Sequence, residues 1–175
     1  MSTPDATIGT LYLEEALKTF QKQKTLGEKA LAQVSDDARL NATLDPESNS
    51  LAIIVKHMAG NMVSRWTDFL TTDGEKPDRN RNGEFEGEMS RAELMARWER
   101  GWACVFSAVS ALTPDDLLKT VTIRSEPHTV VRAIDRQIDH YGYHVGQIVF
   151  LAKHLESEHW QSLSVARGKS AEFKP

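Results

Sequence analysis

Apolar residues return at helical intervals along most of the chain. From about Ile8 to Val34, Leu13, Leu17, Phe20, Leu26 and Leu31 recur with Lys, Glu and Gln between them, the pattern of an amphipathic helix that turns one face to a core. Ser35-Asp36-Asp37 carries capping and turn chemistry, and the run from Asp45 to Ser50 adds a second group of turn formers, so the next helix is expected to start near Ser50. There Leu51, Ile54, Val55, Met58, Met62, Trp66 and Phe69 keep the period until Thr72-Asp73-Gly74. Residues 73–89, with three glycines, one proline and many charges, read as a long loop. Loops of this length without structure of their own tend to be functional or disordered, and Arg79, Arg81, Glu84 and Phe85 point to an ordered lid.

Ser90-Arg91-Ala92-Glu93 is a capping box and opens a third helix. It carries Leu94, Trp98, Trp102, Val105, Val109 and Leu112 inward as far as Thr113-Pro114-Asp115-Asp116. Thr120-Val121-Thr122-Ile123 is β-branched and alternating but short, with no evident partner strand, and reads as an extended connector. A fourth helix is expected from Thr129 to about Glu156, with Val131, Ile134, Ile138, Tyr141, Val145, Ile148 and Leu155 in one stripe. Beyond it, residues 158–175 lose periodicity and form an irregular tail. The expected fold is all-α: an antiparallel four-helix bundle with room for one crossing link.

A chain of 175 residues with no break in composition fits one domain, residues 1–175. Its charged fraction of 26% and net charge of −4 argue against nucleic acid as a partner. No apolar stretch approaches the roughly 20 residues of a membrane span, and the start MSTPDATIGT lacks the features of an export signal; a cytoplasmic location is expected. Cys104 is the single cysteine, so a metal site must use His, Asp or Glu. Cys104 itself reads as an inert thiol within the third helix.

His140 and His144 lie one turn apart, with Cβ atoms roughly 5–6 Å from each other on one helix face, at the edge of the stripe that Tyr141, Val145 and Ile148 define. Two imidazoles so placed can share one ion. A third ligand has to come from a facing helix, and His57 fits: it sits among Ile54, Met58 and Met62, with Asn61 one turn on as a group to orient its ring. Three protein ligands would leave a coordination position open, the mark of a catalytic site. Taken alone, however, His57 reads more readily as a hydrogen-bonded core histidine, and with six histidines in 175 residues the spacing of one such pair is modest evidence. His128, His154 and His159 read as capping or surface residues, and Trp66, Trp98 and Trp102 as core.

The run Asp139-His140-Tyr141-Gly142-Tyr143-His144-Val145-Gly146-Gln147-Ile148, together with Val55-Lys56-His57-Met58-Ala59-Gly60-Asn61-Met62, resembles the DinB-like superfamily, also called YfiT-like metal-dependent hydrolases. The loop GEKPDRNRNGEFE is similar to that of a bacterial branch of unassigned activity. The resemblance covers nearly the whole chain. It implies a four-helix bundle, commonly a homodimer, with zinc, nickel or manganese held by His57, His140 and His144. It further implies a small-molecule substrate and transfer of a low-molecular-weight thiol, such as bacillithiol, mycothiol or glutathione, onto an electrophile. On that reading Arg79 and Arg81 would pair with carboxylates of the thiol. The alternatives are a metal-dependent hydrolase, in which the ion activates water and Glu84 assists as acid or base, and a non-catalytic metal-binding or stress-linked interaction module.

Overall fold

Side-chain caps mark where the chain becomes helical. In the computed structural model, which describes residues 7–172, Thr7, Asp36, Ser50, Ser90 and Thr129 stand in extended backbone. Each accepts a hydrogen bond from the backbone N–H three residues on, which satisfies a donor the first helical turn leaves free. The helices that follow are α1 (Ile8–Leu31), α2 (Asp37–Asn41), α3 (Leu51–Trp66), α4 (Arg91–Ser110) and α5 (Val130–Glu156). The capping box at Ser90 is present with both of its bonds.

Three elements differ from the sequence expectation. The one-turn helix α2 forms where only turn chemistry was read, seeded by the Asp36 cap. Helix α3 stops at Trp66 rather than running on to Thr72. Asp68 takes the left-handed backbone region at φ 49°, and the N–H groups of Thr71 and Thr72 fold back onto its carbonyl. Third, the supposed connector has a partner: β1 (Thr120–Ile123) pairs antiparallel with β2 (Glu126–Thr129). Arg124 and Ser125, at φ 56° and 63°, make the two-residue turn, and paired left-handed residues match the twist of a tight hairpin.

The long helices form two pairs. Tyr12 bonds to Val131 and Asp135, Gln23 to the carbonyl of Ile138, and Ser35 to Glu156, so α1 and α5 ascend together. Met62 and Ala59 meet Gly101, while Thr67 and Phe69 lie near Cys104 and Ala108, so α3 and α4 also run the same way. Between the pairs the sense is opposite: Arg91 caps the carbonyls at the end of α1, and Trp102 meets Phe20 further back along it. This is the expected four-helix bundle. Its parallel neighbours α3 and α4 need a crossing link, supplied by residues 67–90.

The bundle closes on one apolar cluster in which Phe20, Trp98, Trp102 and Ile134 have no exposed surface. Gly27 lets α1 approach α4, because a Cβ there would come within 2.8 Å of the Trp98 ring. The indole of Trp66 donates to the Tyr141 hydroxyl at 3.0 Å, which donates in turn to Asn61 at 3.1 Å. After α5 the described part of the tail makes short 3-10 turns at Ser157–His159 and Ser170–Glu172 and is tied to the residues just past α1 by two bonds between Gln33 and Gln161. The last three residues of the expected tail, and the first six of the chain, lie outside the described residues. Among the described residues, no helix is long and apolar enough to cross a membrane.

Candidate metal centre

His57 projects from the middle of α3, and His140 and His144 from successive turns of α5, which runs opposite to it. The Nε2 atom of His140 lies 3.3 Å from Nε2 of His57 and 3.1 Å from Nε2 of His144. Of each ring, one nitrogen falls within a common sphere in which all lie within 4.8 Å of one another. The rings are partly buried rather than on the outer surface.

The opposite edges of the rings explain why these nitrogens face one another. Nδ1 of His57 is 3.0 Å from Oε2 of Glu84. An ionised carboxylate only accepts hydrogen bonds, so that nitrogen carries the proton and Nε2 keeps its lone pair. Nδ1 of His144 stands 2.7 Å from Oε1 of Gln147, one turn further along α5, with the same consequence. Burial, then the neighbouring His144 and His57, then Arg65 and Arg79, push His140 down to about 3; burial also lowers His144. Those rings are neutral at physiological pH, the form that binds metal. Three imidazoles that turn one nitrogen each towards a common point form a donor set that fits a divalent ion such as zinc or nickel.

Glu84 comes from the 3-10 turn Asn82–Phe85 in the crossing link. Burial raises its carboxyl, but hydrogen bonds from His57 and Arg79 more than offset this, leaving it below its ordinary value. Arg79 grips it through two bonds of 2.7 and 2.8 Å, a bidentate pair. Gly60 provides the room, since a Cβ at that position would collide with the Glu84 carboxylate. The Phe85 ring lies over His57 at 5.3 Å between centroids. Lys56, almost wholly buried, holds the same turn through the carbonyl of Glu86, and Ser64 and Arg65 fasten its start through the carbonyl of Gly74. The segment read as an ordered lid is therefore fixed in place.

The sequence-derived roles shift accordingly. Asn61, expected to orient His57, is taken up by the Tyr141 hydroxyl, and Glu84 does that work instead. Glu84 approaches His57 from the side away from the other two rings, so it is a positioning group rather than an acid or base at the open point. Arg79 is committed to Glu84 and Glu75 and does not reach out for a ligand, whereas Arg81 is exposed beside the site. Next to His57 and His140 opens a cavity of about 390 Å³ that also takes in Arg65, Arg124, Arg136 and Gln137. Sequence reading missed these residues. Arg136 and Gln137, one turn before His140, were the two within reach of a periodicity argument, and Gln137 lies in the same helical phase as His140 and His144.

This bundle, with inward histidines on its last helix and on a facing one, has the DinB-like fold. It is similar to the crystal structure of a DinB-like protein from Bacillus cereus ATCC 10987, with a TM-score of 0.57 and 19% identity over 81% of this chain and 91% of that one. The chain belongs to the DinB-like family described as protein of unknown function (DUF1572), which matches residues 7–169. Comparison with curated proteins returned no match.

Proposed function

We propose that this protein is a metal-dependent enzyme that transfers a low-molecular-weight thiol onto an electrophilic small molecule. The convergence of three Nε2 lone pairs, two of them enforced by acceptors on the opposite ring edge, carries the reading. A divalent ion held there supplies Lewis acidity, which lowers the pKa of whatever acidic ligand occupies its open position. His57, His140 and His144 would hold it; Glu84 and Gln147 fix two of the rings; Phe85 and the crossing link shield one side from water. Thiol transfer is favoured over hydrolysis because Glu84, the carboxylate nearest the rings, is bound to His57 and Arg79 and is not free to take a proton from water. A thiol starts far more acidic than water, with a pKa of about 8.5 against about 15.7, so the ion ionises it with less help from a base.

The test is elemental analysis of tag-free protein, followed by turnover of a generic thiol-reactive electrophile with a panel of small thiols. One ion per chain and thiol-dependent turnover are expected, with His144→Ala losing both while the helical circular-dichroism signal persists. Stoichiometric metal without thiol or substrate dependence would favour a metal-binding module instead, and the absence of any bound ion would sink the proposal.

A further inference from the structure

The cavity beside His57 and His140 is lined by five arginines, Arg65, Arg79, Arg81, Arg124 and Arg136, against a single acidic residue, Asp139. Two carboxylates behind it balance part of this charge. Glu75 pairs with Arg65 at 3.2 Å, Arg79 at 3.4 Å and Arg124 at 3.1 Å, and Glu84 takes Arg79 again at 2.7 Å. Arg81 and Arg136 have no carboxylate partner among the described residues. Three arginines thus share two carboxylates and two have none, a local cationic surplus on a protein whose net charge is −4.

Unmet hydrogen-bonding capacity gathers at the same place. Among the described residues, Arg65 Nε, Gln137 Oε1 and His140 Nδ1 are buried polar atoms without a partner, and all three belong to residues lining this cavity. Arg65 is 4% exposed and Gln137 3% exposed, so bulk water does not serve them. Buried polar groups are nearly always paired, and the exceptions ask for an explanation. The two N–H donors, Arg65 Nε and His140 Nδ1, have a common one: an acceptor such as an anionic oxygen completes them.

We propose that this cavity binds the anionic group of a small substrate, a carboxylate or a phosphate, and holds the rest of that molecule against the three-histidine centre. Arg81 supplies a guanidinium without a side-chain partner among the described residues, and Arg136 one held only by a 3.4 Å contact with His128 Nε2; their forked donors match either anion. Arg65, held on both Nη atoms by Gly74 and Glu75, keeps Nε as a fixed donor. The inference rests on the proposed enzymatic reading and narrows its substrate to molecules carrying a negative charge a short distance from the reacting atom.

Isothermal titration of metal-free protein with inorganic phosphate and, separately, with malate tests the cavity without any contribution from a metal. Saturable binding of at least one probe is expected, weakened at least tenfold in the double variant Arg81→Gln/Arg136→Gln and in part by Arg81→Gln alone. Arg132→Gln, an exposed change on the same helix, is expected to leave it unaltered. Phosphate binding alone or malate binding alone identifies the group preferred. If neither probe binds, or if the double variant, shown to be folded by its thermal melt, binds as the parent does, the proposal is overturned. A zinc isotherm on the same samples keeps the two ideas apart. Anion binding without zinc binding would remove the metal centre and leave the cavity, and zinc binding without anion binding would do the reverse.

Discussion

An imidazole can give a metal one nitrogen only if its other nitrogen holds the proton, and here Glu84 and Gln147 accept a hydrogen bond from that N–H on two of the three rings. The orienting partner of a ligating histidine commonly contributes 10–100-fold to metal affinity. Glu84→Gln, which keeps the shape and removes the charge, is therefore expected to weaken zinc binding by about that factor in a chelator competition, with a lowered thermal melt as well because Arg79 loses its buried partner. Gly60→Ala should act in the same direction because its methyl group displaces the Glu84 carboxylate; an unchanged zinc affinity in both variants would show that the ring needs no such support. The three histidines were legible because helical spacing places 140 and 144 on one face and His57 lies within another apolar stripe. The role of Glu84 was not, since no periodicity ties a residue in a glycine-rich loop to a helix 27 positions earlier. Asn61 was the natural expectation by spacing, but spacing does not reveal that the Tyr141 hydroxyl competes for it.

At the scale of elements, helix starts were the most legible feature. A Ser, Thr or Asp cap is a local signal, and Ser50, Ser90 and Thr129 each open a helix within a residue of the expected place. The hairpin escaped notice because β2 reads Glu-Pro-His-Thr, with no alternation of apolar and polar side chains, and its turn is Arg124-Ser125 rather than the glycine or asparagine that left-handed backbone favours. What holds this turn lies far away in sequence. The carboxylate of Asp73 accepts from the N–H of Arg124 at 2.9 Å, of Ser125 at 2.7 Å and of Glu75 at 2.7 Å. The bond from Glu75, followed by those from Ser125 and Arg124, brings the acid down to about 2 against some opposition from burial. A carboxyl depressed on folding adds stability above its ordinary value near 3.8 and loses it as the pH falls towards 2. Asp73→Asn is accordingly expected to melt a few degrees below the parent at pH 7, with the gap closing between pH 4 and pH 2. A gap that persists at pH 2 would mean that the charge is not what stabilises the turn.

For the molecule as a whole, the bundle and its core could be read from apolar periodicity, but the sense of its helices could not. Periodicity says which face is buried and nothing of which neighbour covers it; the parallel course of α3 and α4 emerges only from contacts such as Gly101 with Met62. The same core sets the largest expected stability effect. Trp98 has no exposed surface and packs on Trp102 and against Gly27, so Trp98→Ala should cost about 3–5 kcal/mol in urea denaturation; a loss below about 1 kcal/mol would show that the core collapses into the gap. The topology also separates His57 from His140 by 83 positions, with the crossing link, α4 and the hairpin between them. A chain still leaving the ribosome therefore presents a single member of the trio until its final helix emerges. An ion seated there would bind only once α3 and α5 have met, and would then act as a clasp between them, favouring the native form over the unravelled one.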